Sequence, residues 1–198
     1  KAALEARGED RRVLLVPGSA NGPIPATAEV AGFRVEAIPA TDEGRVDTQA
    51  LIARLGPDVA GVMITNPNTC GLFERDMKVI SDAVHAAGGY VYCDGANFNA
   101  IVGRVRPGDL GVDAMHINLH KTFSTPHGGG GPGSGPVVLS EALAPYAPLP
   151  VVQKIDGKLR LVEEENAGEY HPASFGRMTA FHGQMGMYTR ALTYILSH

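Results

Sequence analysis

Apolar and polar positions follow two different periods along the first two thirds of the chain. Short, nearly continuous apolar runs predict buried strands, because a strand covered on both faces carries few polar residues. Between these runs apolar positions recur at intervals of three and four, which is typical of helices packed on a sheet. The predicted strands are Arg12–Val16, Arg34–Ile38, Val59–Thr65, Tyr90–Cys93, Val112–Asn118 and Pro136–Leu139.

Helices are predicted in the intervals between these strands. The clearest covers Glu74–Ala87 and stops at Gly88-Gly89, and shorter ones cover Ala26–Ala31 and Asp47–Leu55. Strands that alternate with helices predict an α/β fold, a three-layer sandwich with a mostly parallel sheet between helical layers.

The pattern changes after about residue 147. A charged stretch over Val151–Asn166 predicts a hairpin, and Arg177–Leu196 predicts a helix. We therefore expect a large domain over residues 1–147 and the start of a C-terminal domain over residues 148–198, both incomplete.

Composition narrows the class of protein. The 198 residues carry 17 basic and 21 acidic side chains, a net charge of −4, so no cationic field favours nucleic acid or a membrane surface as a partner. No apolar run approaches the roughly 18 residues that span a bilayer. Cys70 and Cys93 form no CxxC pair and favour a reducing compartment. We expect a soluble, cytoplasmic protein.

Candidate chemistry lies just beyond three predicted strands, where parallel sheets bind their ligands. These strand ends contribute an asparagine, Asn66, an aspartate, Asp94, and a lysine, Lys121. The layout resembles the pyridoxal phosphate site of the aspartate aminotransferase superfold. There a lysine forms a Schiff base with the aldehyde, a carboxylate keeps the ring nitrogen protonated, and an asparagine can hold the phenolic oxygen.

A lysine in this role must react as a neutral amine. Near neutral pH this requires its pKa to fall by about 3 units from roughly 10.4, which corresponds to about 4 kcal/mol. Burial and a neighbouring cationic ring can supply such a shift, because shifts of about 3–5 units occur for buried groups.

Two longer motifs identify a family. The run Asp94–Ala100, and the run His116–His127 with four glycines after it, closely resemble the P-proteins of the glycine cleavage system, the decarboxylating glycine dehydrogenases. Residues 5 to 197 take part in the resemblance, and the family has further sequence on both sides. The chain is therefore expected to be an internal part of such a protein, of the second-subunit type. Further matching segments are Thr65–Phe73, Gly130–Pro136, Gly176-Arg177 and Arg190–Ile195.

The resemblance implies an activity, a cofactor and partners. The activity is decarboxylation of glycine with pyridoxal phosphate, followed by transfer of the aminomethyl group to the lipoyl arm of the H-protein. The second partner is the other P-protein subunit or a second copy of the chain, and no metal is implied. The implied catalytic residues are Lys121, Asp94 and His120, and the implied cofactor contacts add Asn66, Ala96, Asn97, Asn118 and Thr122.

Several alternatives stay open at this point. Another fold-type-I pyridoxal phosphate enzyme, an aminotransferase or a lyase, would carry similar strand ends. Asp94 could simply cap a turn before Gly95, and Asn66 could initiate one before Pro67. A non-catalytic copy acting as a partner subunit is suggested by departures from the family pattern at Asn21, Pro23, Ile24, His182 and Gln184.

Overall fold

The fold is described from a computed structural model that covers residues 1–18, 20, 23–127, 134–178, 180 and 182–198. Asn21 and most of the glycine-rich run Gly128–Gly135 lie outside the described residues, as do the side chains of Pro23 and Ile24. The predicted departures from the family pattern at these three positions therefore stay predictions.

A six-stranded sheet forms the centre of the chain, in the order β2-β1-β3-β4-β5-β6. All neighbouring strands are parallel except β6, which pairs antiparallel with β5 at one edge. The strands are β1 Val13–Pro17, β2 Arg34–Ile38, β3 Val59–Thr65, β4 Tyr90–Gly95, β5 Ala114–Ile117 and β6 Val137–Leu139.

Helices connect the parallel strands, as the sequence predicts. Short 3₁₀ turns at Phe98–Ala100 and Pro107–Leu110 lie between β4 and β5, and a third covers Ala144–Tyr146. Past the sheet, a separate hairpin of β7 and β8 precedes two further helices. The remaining bounds are α1 Ala2–Ala6, α2 Pro23–Val30, α3 Thr48–Arg54, α4 Met77–Ala86, α5 Leu119–Thr122, β7 Val151–Ile155, β8 Lys158–Val162, α6 Glu164–Tyr170 and α7 Met185–Ser197.

Helices pack on both faces of the sheet. On one face α3 and α4 bury Leu51 and Ile80 against the apolar side chains of β1, β3 and β4. On the other face α2 buries Ala28 against Val16 and Met63. Every residue of β3 is buried, as expected of a central strand with both faces covered. The predicted α/β sandwich with a mostly parallel sheet is confirmed.

Local sequence signals explain where these elements begin and end. Asp47 caps α3 by accepting a hydrogen bond from the Ala50 N–H at 2.9 Å. Helix α4 ends at Ala86, and Gly88 then adopts a φ of +83°, a left-handed conformation that favours glycine. The predicted stop at Gly88-Gly89 is thus confirmed.

The C-terminal segment differs from the sequence prediction at two places. The predicted helix over Arg177–Leu196 begins only at Met185, because Arg177 forms a β-bridge with Leu149 and pairs with the carboxylates of Glu163 and Glu164. The predicted hairpin ends earlier, at Val162. A reciprocal capping box between Glu163 and Asn166 starts α6 there instead. The division into domains near residue 147 stays a prediction.

Helix α4 offers a matched test of this packing. Ile80 is fully buried, whereas the neighbouring Val79 is 54% exposed. Replacing Ile80 with alanine should lower the free energy of unfolding by about 2–5 kcal/mol through lost burial and a cavity. Val79→Ala should change it by less than about 0.5 kcal/mol. Urea unfolding measures both, and equal effects would contradict this assignment of the buried face.

Candidate active site

Three polar residues from adjacent strands lie side by side at the carboxyl edge of the sheet. In the register of the parallel strands Thr65 pairs with Asp94, and Asp94 pairs with His116. Paired residues on neighbouring strands project to the same face, so the three side chains form one polar row. The sequence predicts a functional role only for Asp94, since the register that adds Thr65 and His116 depends on the pairing of distant segments.

Asp94 is the anionic centre of this row. Its carboxylate is buried and accepts a hydrogen bond from the Ala96 N–H at 2.9 Å, on the same oxygen that lies 3.8 Å from His116 Nδ1. The neighbouring His116 imidazole lowers the pKa of Asp94 most. The Ala96 N–H and the charge of Lys121 lower it further, while burial opposes them. Asp94 is therefore ionised at neutral pH, and it both caps the turn before Gly95 and presents a charge to the site.

Asn66 presents a hydrogen-bond donor at the end of β3. The Glu74 N–H donates to Asn66 Oδ1 at 3.0 Å, which fixes the orientation of the amide. The other end, Nδ2, is buried without a hydrogen-bond partner in the described structure. The same is true of Thr65 Oγ1 next to it. Asn66 thus offers a free N–H donor, which matches the function expected of it toward a phenolic oxygen.

The lysine follows β5 on the short helix α5. Lys121 is exposed, whereas His120 Nδ1 and the hydroxyl of Thr122 are buried without a partner in the described structure. Burial lowers the pKa of His120, and the nearby His127 lowers it further. The two rings meet edge to face with 4.5 Å between centroids. His120 is therefore a neutral imidazole at neutral pH.

The other predicted cofactor contacts already have partners within the chain. Asn97 Nδ2 donates to the carbonyl of Pro67 at 3.0 Å and so joins the loop after β4 to the loop after β3. The Ala96 N–H is used by Asp94. Asn118 Nδ2 lies 3.4 Å from His116 Nε2. All eight predicted residues thus lie at or just after the carboxyl ends of three neighbouring strands, and their functional roles stay predictions.

Unpartnered buried polar atoms make this edge a candidate binding site. An unsatisfied buried polar group costs about 1–3 kcal/mol, so several gathered together indicate a polar ligand. Pyridoxal phosphate has a phosphate and a phenolic oxygen that accept hydrogen bonds, and a ring nitrogen that can pair with a carboxylate. The donors and the carboxylate at this edge fit these groups. In the described part of the chain the buried side-chain atoms without a hydrogen-bond partner are Thr65 Oγ1, Asn66 Nδ2, His120 Nδ1, Thr122 Oγ1 and Thr125 Oγ1.

Metal binding and membrane insertion find no support in the described ranges. No three His, Cys, Asp or Glu side chains there lie close enough to hold a metal ion. No helix within them is long and apolar enough to cross a membrane.

Comparison with known families decides the class of protein. A model of the class-V aminotransferases matches residues 16–131, which is more than half of the chain. The chain belongs to the aminotransferase class-V family. Membership implies pyridoxal phosphate as the cofactor, in agreement with the sequence prediction, and the matched range contains all eight predicted site residues.

Curated relatives agree with the more specific resemblance. The chain is 63% identical over its whole length to the probable glycine dehydrogenase (decarboxylating) subunit 2 of Caulobacter vibrioides. It is 53% identical over 98% of its length to the protein of that name in Thioalkalivibrio sulfidiphilus, and 51% identical over 98% to that of Nitrosococcus oceani. The chain spans 38%, 39% and 40% of these relatives. The predicted resemblance to a part of such proteins is confirmed.

Solved structures support the fold alone. The sphingosine-1-phosphate lyase of Burkholderia pseudomallei superposes with a TM-score of 0.63 at 17% identity, over 98% of this chain and 43% of the lyase chain. Mouse CSAD superposes with a TM-score of 0.57 at 18% identity, over 72% of this chain and 34% of its own.

The lowered pKa of Asp94 predicts a pH dependence of stability. As the pH falls, the unfolded chain binds the Asp94 proton near its ordinary pKa of about 3.9, before the folded chain does. The stabilisation present above that pH is then lost as the pH falls through the folded pKa. Urea unfolding between pH 3 and pH 6 should therefore show a steeper loss for wild type than for Asp94→Asn.

Asp42→Asn, at an exposed aspartate, controls for the removal of one negative charge. It should keep the slope of the wild type. Equal slopes for wild type and Asp94→Asn would contradict the lowered pKa of Asp94.

Proposed function

We propose that this chain belongs to a P-protein subunit of the glycine cleavage system. In this proposal the protein decarboxylates glycine with pyridoxal phosphate and passes the aminomethyl group to the lipoyl arm of the H-protein. The observation that carries it is the junction of Lys121, an ionised Asp94 and unpartnered buried donors at one sheet edge. Relatives called decarboxylating glycine dehydrogenases, 49–63% identical to the chain, support the choice of substrate.

Three side chains divide the work of holding the cofactor. The Lys121 amine would hold the aldehyde carbon of the cofactor covalently. The Asp94 carboxylate would accept a hydrogen bond from the protonated ring nitrogen. Asn66 Nδ2 would donate to the phenolic oxygen, since the other end of the amide is already fixed by the Glu74 N–H.

The same residues would support the loss of carbon dioxide from glycine. Bound pyridoxal phosphate supplies a conjugated cationic ring that takes up the electron pair left when the carboxylate of glycine departs. Asp94, which is ionised at neutral pH, would maintain that cation. His120 and Thr122 add a neutral nitrogen and a hydroxyl that can hydrogen-bond the bound group.

Partners are part of this proposal. Lys121 is exposed among the described residues, so a bound cofactor and further protein can cover it. In this proposal that protein is the other P-protein subunit or a second copy, and the relatives' designation as a subunit 2 supports it. The free cysteines, Cys70 and Cys93, fit a reducing cytoplasm.

Isotope exchange tests the proposed reaction. The protein, assembled with its partner subunit and H-protein, should exchange labelled bicarbonate into the carboxyl carbon of glycine, because decarboxylation is reversible there. The second candidate, an aminotransferase or a lyase, is favoured by the match to the class-V model. Amino-group transfer to a keto acid without bicarbonate exchange would decide for an aminotransferase and against the proposal.

Loss of the lysine should abolish the covalent link to the cofactor. Lys121→Ala should lack the absorbance band between about 330 and 430 nm that shifts with glycine, since no other amine then carries the aldehyde. Borohydride reduction and peptide mapping should find the label on Lys121 in wild type and none in the variant. Lys78→Ala, on the exposed face of α4, should keep the band. A reducible adduct in Lys121→Ala would exclude Lys121 from this function.

A further inference from the structure

His116 lies in a fixed position directly beside Asp94. Its Nδ1 is 3.8 Å from Asp94 Oδ1, and its Nε2 is 3.4 Å from Asn118 Nδ2. The Asn118 amide nitrogen can only donate, so Nε2 accepts and the proton of a neutral imidazole resides on Nδ1, the atom nearest the carboxylate. The neighbouring Asn118 amide thus determines which ring nitrogen of His116 accepts and which can donate.

Glycine at position 135 brings the backbone against the same ring. A Cβ at Gly135 would collide with Nε2 and Cδ2 of His116, so the ring can occupy its place only because position 135 has no side chain. The φ of Gly135 is not positive, which means that alanine is conformationally acceptable there. Glycine is therefore required at position 135 to leave space for the His116 ring, and not to permit the backbone conformation.

A second histidine–aspartate pair, between α4 and the residue that precedes β5, provides a comparison. His85 Nε2 lies 2.7 Å from Asp113 Oδ2 at the opposite, amino end of β5. Asp113 also accepts the Val91 N–H at 2.8 Å and the Ser140 hydroxyl at 3.3 Å, so both of its oxygens have partners inside the chain. Within the described residues Asp94 accepts only the Ala96 N–H, on the oxygen that faces His116. Asp94 thus keeps acceptor capacity for a ligand.

We infer that His116 is a positioning residue, which holds the Asp94 carboxylate oriented and ionised at the edge of the sheet. The carboxylate can then keep the ring nitrogen of the cofactor protonated. This inference rests on the proposed function, because it requires pyridoxal phosphate in the site.

The protonation of the ring nitrogen is the direct readout. Pyridoxal phosphate labelled with ¹⁵N in the ring is bound to the full-length protein, and its ¹⁵N signal is followed against pH. In His116→Ala the ring nitrogen should bind its proton about tenfold more weakly, a shift of about one pH unit toward lower pH. The kcat should fall by a similar factor while the KM for glycine changes little, because His116 acts only through Asp94.

Other titratable groups around the pair are the same in all variants. They are Tyr92 and Cys93 on β4 and His120 and Lys121 on α5. Burial raises the pKa of both Tyr92 and Cys93 to about 12, so neither titrates in the range of the experiment.

Two further variants keep the test independent of folding defects. His116→Asn retains an N–H donor near the position of Nδ1 and should restore part of the wild-type signal. Gly135→Ala displaces the ring without changing the chemistry of either partner and should shift the ¹⁵N signal in the same direction as His116→Ala. Gly168→Ala, where an added methyl group meets open space, is its matched control and should have the wild-type signal.

His85→Asn is the control for loss of a histidine–aspartate pair as such. It should leave the ring nitrogen unchanged, even if the protein becomes less stable. An unchanged ¹⁵N signal in both His116→Ala and Gly135→Ala would overturn the inference, and so would an equal shift in His85→Asn. Wild-type protein that binds no pyridoxal phosphate would overturn the proposed function, and this inference with it.

Discussion

The parallel register of β3, β4 and β5 is the constraint on which the candidate site depends. It aligns Thr65, Asp94 and His116 in one row, although the first and the last lie 51 positions apart in the chain. Parallel strands end at the same edge, so the segments that follow them must converge there. A shift of one residue would turn Asp94 to the other face of the sheet and separate it from Lys121. The strand register thus determines which polar side chains meet at this edge.

That register is held by apolar packing remote from the polar edge. Val62, Ile64 and Val91 are buried beneath α4, and their burial fixes which residues of β3 and β4 face outward. The cost of burying Asp94 is offset locally, by the Ala96 N–H and the His116 ring. The sheet can therefore carry an ionised group at its edge, because apolar packing below that edge holds the strands in register.

The sequence predicted the parts of this arrangement that local patterns encode. Apolar runs located all six strands of the sheet, and Gly88-Gly89 located the end of α4, since these signals depend on neighbouring residues only. Lys121, Asp94 and Asn66 could be predicted for the same reason, because each lies at the end of a recognisable strand. The start of α7 at Met185 could not be predicted in this way. Arg177 instead pairs with Glu163 and Glu164, which lie 14 and 13 residues before it in the chain. The positions of His116 and Thr65 beside Asp94 could be found only from the pairing of the strands. The exposure of Lys121 could be found only from the folded structure.

The two histidine–aspartate pairs show why residue types alone do not identify a site. In sequence, His85 with Asp113 and His116 with Asp94 are equivalent combinations. In the fold, the shorter contact belongs to Asp113, whose two oxygens are both satisfied by the chain, and such a carboxylate stabilises a strand end and has little left to offer a ligand. The longer contact belongs to Asp94, which is ionised, buried and incompletely hydrogen-bonded by the described residues. Unused hydrogen-bonding capacity, more than proximity, therefore separates a functional carboxylate from a structural one in this sheet.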